Sequence, residues 1–142
     1  MMLVERILVP IDFSPESLQG VEIARTLAAQ TGAALRFVTV LEVGDLRAAL
    51  AAHLSGFHTD EEVHRALERW VEENYARIDT SGATREIRRG IAEREILDAI
   101  AELAPQIVVM GSAGLARRLP LGSTTDYVLR HSAVPVLVVK AQ

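Results

Sequence analysis

Short apolar runs alternate along the chain with longer segments in which apolar residues recur every three or four positions. The short runs are typical of β-strands, and the longer period is typical of amphipathic helices. Five strands are predicted, at residues 7–9, 35–40, 84–89, 107–110 and 134–139. Strands that alternate with helices at this spacing predict one α/β domain over residues 1–142, doubly wound, with helices on both faces of a mostly parallel sheet.

Helix boundaries are indicated by residues that favour helix ends. Ser14 is predicted to cap the first helix, with Pro15 at its first position and Gly32 just past its end. Thr59 and Glu62 form a capping-box pattern before a second helix that is predicted to end near residue 79. Two further helices are predicted, one between residues 90 and 105 and one over residues 124–131, whereas residues 41–58 are assigned only partly to helix.

The polarity of the strands predicts their places in the sheet. Strands one, four and five are continuously apolar, as expected for strands that are buried on both faces. Strand three instead has Arg85, Glu86, Arg88 and Arg89 around a lone Ile87. A strand this polar is expected at an edge of the sheet.

The loops after strands one and four carry the candidate ligand site, because a doubly wound sheet binds ligands beyond the carboxyl ends of its strands. Asp12 follows strand one, and two glycine-containing segments follow strand four, at residues 111–114 and 122–125. Glycines and a helix N-terminus favour binding of a phosphate, to which Arg117 and Arg118 could add positive charge. The alternative is that the loop has a purely structural role. The glycines would then form turns, and Ser123 with Asp126 would cap the helix.

Composition and charge exclude several classes of function. The 142 residues carry 15 Lys and Arg against 19 Asp and Glu, a formal net charge of −4, which argues against general nucleic-acid binding. The absence of cysteine excludes thiol catalysis and zinc–thiolate sites, and it agrees with a cytoplasmic location. No apolar run approaches the ~20 residues of a membrane helix, so no membrane association is expected.

Covalent and metal chemistry are disfavoured by spacing. Asp12 lacks the second aspartate two residues on that phosphatases of the haloacid-dehalogenase type need, since Ser14 stands there. The spacings between His53, His58 and His64 do not place them on one helix face, so no metal site is predicted. No serine lies in a G-x-S-x-G elbow. We therefore expect no catalytic residues and no enzymatic activity.

Four segments of the chain, in this order, match a known pattern: ILVPIDFS at 7–14, GIAEREI at 90–96, IVVMG at 107–111, and GS at 122–123 leading to VLRHSAVPVLVV at 128–139. The chain resembles the universal stress protein family over nearly its whole length. The resemblance implies a five-stranded parallel sheet of order 3-2-1-4-5. It also implies a homodimer that forms through strand five, Val134 to Val139.

Members of that family that bind ATP carry the pattern Gly, two residues, Gly, nine residues, Gly, then Ser or Thr. This chain has Gly111, Gly114, Gly122 and Ser123, with seven residues instead of nine between the second and third glycine. By resemblance, the ligand contacts would be Pro10 and Asp12 at base and ribose, Val40 backbone at adenine, Gly111 and Ser112 at ribose, and Gly114, Gly122, Ser123 and Thr124 at the phosphates.

Two functions are therefore expected as alternatives. The first is a regulatory module of the stress response that binds ATP or another adenine nucleotide, with or without Mg²⁺. The second is a stress-related interaction protein whose nucleotide pocket is vestigial. Since two residues of extended chain span roughly 7 Å, the shorter loop predicts that AMP or ADP binds at least as well as ATP.

Overall fold

The structure is a computed structural model that describes residues 3–42, 59–113 and 121–140. The elements in chain order are β1 (Arg6–Pro10), α1 (Pro15–Thr31), β2 (Ala34–Leu41), α2 (Asp60–Tyr75), β3 (Ala83–Arg89), α3 (Ala92–Leu103), β4 (Ile107–Gly111), α4 (Ser123–His131) and β5 (Val136–Val139). The helical part predicted within residues 41–58 lies almost entirely outside the described residues.

The strands within the described residues form a five-stranded sheet of order β3-β2-β1-β4-β5, in which every pairing is parallel. Ile7 of the central β1 is paired with Leu35 of β2 on one side and with Ile107 of β4 on the other. The predicted strand order is confirmed, and so is the edge position of β3.

The core has two layers because successive side chains of the central strand point to opposite faces. Ile7 and Val9 belong to a cluster with α1 and α2, whereas Leu8 belongs to a cluster with α3 and α4. The helices therefore cover both faces of the sheet, as the apolar runs predict for a doubly wound domain.

The first two helices begin where the sequence predicts. The Ser14 hydroxyl accepts a hydrogen bond from the N–H of Ser17, and Thr59 caps α2 through the N–H of Glu62 in the same way. The prediction that α2 ends near residue 79 is wrong by one turn. The N–H of Ile78 instead bonds the carbonyl of Tyr75 at 3.2 Å, because the chain tightens into turns after the helix.

Strand β5 differs from its prediction in both length and burial. It starts at Val136 and not at residue 134, because Pro135 has no N–H to donate to a strand partner. Leu137 has 38% of its surface exposed, so the expectation that this strand is buried on both faces is wrong. An apolar strand at a sheet edge keeps the pattern of a central strand while it lacks a neighbour on one side.

The polar edge strand β3 is stabilised by ion pairs on both of its faces. Arg88, with 12% of its side chain exposed, contacts Glu86, Glu95 and Glu102. On the other face, Arg89 lies 2.5 Å from a Glu68 carboxylate oxygen of α2. These contacts explain how Arg88, Arg89 and Glu86 of β3 are accommodated next to helices.

Candidate functional site

The candidate site lies at the carboxyl ends of β1 and β4, which are neighbours in the sheet. The helices that follow these two strands, α1 and α4, pack on opposite faces of the sheet. The two loops therefore leave the sheet in opposite directions, and a doubly wound sheet has its ligand crevice between two such loops. Asp12 and Ser112 lie at this position, one after each strand.

The turn after β1 is built around Asp12 and Ser14. The carboxylate of Asp12 accepts a hydrogen bond of 2.9 Å from the N–H of Ser14 through Oδ1, and its Oδ2 has no partner among the described residues. Ser14 is fully buried, and its hydroxyl donates to the carbonyl of Ala113 at 3.4 Å. The turn after β1 is thus connected directly to the loop after β4.

Phe13, between those two residues, has a φ of +65°. Such a left-handed conformation is an outlier for a bulky residue, since its Cβ crowds the main chain. The ring packs edge-on against Trp70 and Tyr75 of α2, with ring centroids 5.6 Å and 5.0 Å apart. Phe13 is not among the predicted site residues, because nothing in its residue type indicates a positive φ.

The end of β2 presents main-chain groups to the same crevice. The pairing of β1 with β2 ends at Pro10 and Val38, and the N–H of Ile11 donates to the Val38 carbonyl at 2.8 Å. Main-chain groups two residues apart in a strand point the same way, so those of Val40 face the side that β1 has left. Among the described residues, no strand pairs with Val40 there.

Gly111 lies inside β4 and packs against the start of α1. A Cβ at this position would lie 2.7 Å from the Ser17 nitrogen and 2.8 Å from the carbonyl carbon of Glu16, so only glycine allows this approach. Its carbonyl accepts a hydrogen bond of 2.8 Å from the buried Thr125 hydroxyl. The tight packing against α1 accounts for a glycine here independently of any ligand.

The ends of the loop after β4 are held together by main-chain hydrogen bonds. The N–H of Ser112 donates to the carbonyl of Val139 at 2.8 Å, and the carbonyl of Ser112 accepts from the N–H of Gly122 at 2.7 Å. The start of α4 is therefore fixed at the end of β4. Gly114, Arg117 and Arg118, predicted to contact phosphates, lie outside the described residues.

The start of α4 is not capped by a side chain. Gly122 is the N-cap residue and Ser123 is the first residue of the helix, so the predicted capping pair of Ser123 with Asp126 is wrong. The carboxylate of Asp126 instead pairs with Arg130, 3.1 Å away and one turn further on. Within the described residues, the main-chain N–H groups of Ser123 and Thr124 have no acceptor, and the Ser123 side chain is exposed beside them.

The histidines are dispersed. His53 and His58 lie outside the described residues, His64 is half-buried on α2, and His131 contacts the Tyr127 carbonyl at 2.9 Å near the end of α4. Within residues 3–42, 59–113 and 121–140, no group of three potential ligands could hold a metal ion. In the same part of the chain, no helix has the length and apolar character of a membrane span.

The sequence profile of the universal stress protein family matches residues 4–140 of this chain. The chain therefore belongs to the universal stress protein family. A comparison with curated proteins gives no match.

Solved structures show the same fold. A universal stress protein from Lactobacillus plantarum is 26% identical, with a TM-score of 0.70 over 98% of this chain and 99% of the other. A universal stress protein solved in complex with cAMP is 23% identical, with a TM-score of 0.65 over 99% and 100% of the two chains. A family member from Arabidopsis thaliana with AMP bound is 16% identical, with a TM-score of 0.57 over 97% and 92%.

Proposed function

We propose that this universal stress protein is a cytoplasmic regulatory module that binds an adenine nucleotide in the crevice between β1 and β4. The observation that carries the proposal is the position of the uncapped start of α4, which the Gly122–Ser112 hydrogen bond holds beside the turn of Asp12. N–H donors for an anionic group and a carboxylate acceptor for hydroxyl groups would thus lie together at the carboxyl end of the sheet. A phosphorylated ribose carries both kinds of group.

The phosphate end of the ligand would lie at the start of α4. Unsatisfied N–H groups and the helix dipole attract anions there. The hydroxyls of Ser123 and Thr124 supply further donors, and Gly122 leaves room for close approach. Gly114 and the guanidinium groups of Arg117 and Arg118 complete this end in the proposal.

The nucleoside end would lie between the ends of β1 and β2. The unpaired Oδ2 of Asp12 accepts a hydrogen bond from a ribose hydroxyl. The main-chain groups of Val40, which face away from β3, match the donor and acceptor edge of adenine, while Pro10, Gly111 and Ser112 border the ribose. The relatives solved with cAMP and with AMP support an adenine nucleotide as the class of ligand.

Any Mg²⁺ would enter with the phosphates. No group of three metal-ligating side chains lies in the described part of the chain, and Mg²⁺ is commonly held by phosphate oxygens and water with few protein ligands. We assign no catalytic role to the site, since phosphoryl transfer needs a positioned base and usually a lysine near the phosphates. The only lysine, Lys140, follows the end of β5.

A homodimer through strand five is a second proposal. Among the strands that the structure describes, β5 is paired only with β4. It is four residues long, and Leu137 is exposed. An apolar strand edge favours pairing with a second copy of the same strand across a two-fold axis. Val136 to Val139 would form this contact, whereas Pro135 limits pairing at the preceding position.

The nucleotide proposal is tested by calorimetric titration of protein freed of co-purified nucleotide. Saturable binding of AMP, ADP or ATP is expected, and Asp12→Asn is expected to weaken it by about tenfold through loss of a charged acceptor. If none of the three nucleotides binds at millimolar concentration, the alternative of an interaction protein with a vestigial pocket replaces this proposal.

A further inference from the structure

Phe13 lies in a left-handed conformation between two residues of the proposed site. A positive φ in an aromatic residue persists only where the surrounding structure fixes it, and such residues cluster at functional positions. The hydrogen bond from the N–H of Ser14 to Asp12 Oδ1 spans Phe13. The backbone of Phe13 therefore determines where the Asp12 carboxylate points.

The ring of Phe13 is held by α2. Its centroid lies 5.0 Å from that of Tyr75 at an interplanar angle of 84°, and 5.6 Å from that of Trp70 at 87°. Edge-to-face pairs of this kind stabilise the packing beyond the area they bury. Tyr75 is itself almost completely buried, so it provides a fixed surface for the Phe13 ring.

Tyr75 connects this ring contact to β2. Its hydroxyl forms a hydrogen bond of 2.7 Å with the hydroxyl of Thr39, and both groups are buried. Thr39 immediately precedes Val40, whose main-chain groups face the crevice. Phe13, Tyr75 and Thr39 thus form a continuous path between Asp12 and Val40, which we call the aromatic bridge.

We propose that the aromatic bridge of Phe13, Tyr75 and Thr39 positions Asp12 and the main chain of Val40 for the ribose and base of the nucleotide. The inference rests on the proposed function and assigns three residues behind the site as positioning residues. They fix the separation of two contacts that belong to different strands. A pre-organised pair of contacts binds more tightly, since less freedom is lost on binding.

Loss of the aromatic bridge should change the affinities for adenosine and for ATP in a way that can be predicted. It acts on the base and ribose contacts, whereas the start of α4 is fixed separately by the Ser112 and Thr125 hydrogen bonds. Loss of the bridge should therefore weaken the binding of adenosine and the binding of ATP by the same factor. Loss of a phosphate contact would instead weaken the binding of ATP alone. A general loss of folded protein would also weaken both ligands equally, so it needs a separate control variant.

The test compares Phe13→Leu with Phe37→Leu by calorimetry, using adenosine and ATP as probes. Phe37 also packs on Tyr75, with ring centroids 6.4 Å apart, but it is part of β2 and does not belong to the Asp12 turn. We expect Phe13→Leu to lower the affinity for both ligands by about tenfold. Phe37→Leu should lower it by less than about threefold. Tyr75→Phe keeps both rings in contact and removes only the Thr39 hydrogen bond, so it serves if Phe13→Leu does not fold. We expect it to weaken both ligands by about threefold.

Each result has a distinct meaning. If the wild-type protein binds neither ligand, the proposed function fails and the bridge has nothing to position. If the wild type binds and neither Phe13→Leu nor Tyr75→Phe changes the affinity, the positioning role of the bridge is wrong, whereas the proposed function stands. A loss confined to ATP, or an equal loss in Phe37→Leu, would also overturn it, because the effect would then lie at the phosphates or in general stability.

Discussion

The main-chain N–H of Gly122 donates a hydrogen bond of 2.7 Å to the carbonyl of Ser112. This contact joins the residues on either side of the loop after β4, so the start of α4 lies at the end of the strand. The resemblance to ATP-binding family members implies a loop that is two residues short between Gly114 and Gly122. Since the start of α4 is held by this hydrogen bond, we expect the shortening to limit the room for terminal phosphates and not to move the helix N-terminus.

Removing the two loop arginines tests how the terminal phosphates are held. If the short loop leaves little room for them, a variant with Arg117→Ala and Arg118→Ala should lose affinity for AMP and ATP by the same small factor. Calorimetry with both ligands measures this factor, and Arg94→Ala, on the first turn of α3, is the control for a lost surface charge. A loss for ATP that exceeds the loss for AMP by about tenfold, or 1.4 kcal/mol, would show that the arginines bind the terminal phosphates.

Gly111→Ala should destabilise the fold by about 1–3 kcal/mol, because the new Cβ would overlap the first turn of α1. Gly20→Ala is the matched control. Its Cβ would meet Val109 at 3.8 Å, an ordinary contact, and alanine within α1 favours the helix by up to about 1 kcal/mol. Chemical denaturation of both variants measures the difference. Equal stability of the two variants would contradict the packing that we describe for Gly111.

The buried phenol of Tyr75 predicts a loss of stability at high pH. Burial raises the pKa of Tyr75 to about 12, although its hydrogen bond with Thr39 and the nearby Arg85 act in the opposite direction. Since the folded pKa lies above the unfolded value of ~10, this contribution is complete below pH ~10 and is lost as the pH rises through about 12. A shift of this size corresponds to roughly 2–3 kcal/mol.

Tyr75→Phe should remove that part of the alkaline dependence in urea denaturation between pH 9 and 12, while Tyr127→Phe, at an exposed position, should retain it. Tyr75→Phe should also cost about 1–2 kcal/mol at neutral pH, because the buried Thr39 hydroxyl loses its partner. Adding Thr39→Val to Tyr75→Phe should recover most of the lost stability, because no buried hydroxyl is then left without a partner. If stability depended on pH in the same way in the wild type and in Tyr75→Phe, the alkaline loss of stability would not come from Tyr75.

Leu137→Glu should convert a homodimer into a monomer of 15.5 kDa, since a charge on each β5 edge would repel its symmetry mate. Leu129→Glu is the control, because Leu129 is exposed to a similar degree but belongs to α4 and not to β5. Analytical ultracentrifugation at micromolar concentration gives the mass. A wild-type monomer, or a Leu137→Glu dimer, would rule out this interface.

Much of the fold follows from local patterns in the sequence. The charged residues around Ile87 suffice to place β3 at an edge, and Ser14 and Thr59 suffice to start their helices. Pro135 is the local reason why β5 begins at Val136. By contrast, the need for glycine at position 111 depends on its contact with the start of α1, nearly a hundred residues earlier.

The candidate site could be predicted only in part, because some of its features also depend on contacts between residues that are distant in the sequence. Asp12 and Ser112 are predictable because parallel strands end at one edge of the sheet. The φ of Phe13 is a compromise between local strain and ring packing on Trp70 and Tyr75, which come together only in the fold. Likewise, Ser123 satisfies a capping pattern, but Gly122 is the N-cap residue, and its N–H bonds the carbonyl of Ser112, a contact that exists only in the fold.

Calorimetric titration of the nucleotide-free wild-type protein with AMP and with ATP, with GMP as a control for the base, tests the proposed nucleotide site most directly. We expect saturable binding of both adenine nucleotides, with AMP at least as tight as ATP and with GMP weaker by about tenfold, because the main chain of Val40 is matched to adenine. Absence of binding at millimolar concentration would contradict the proposed site.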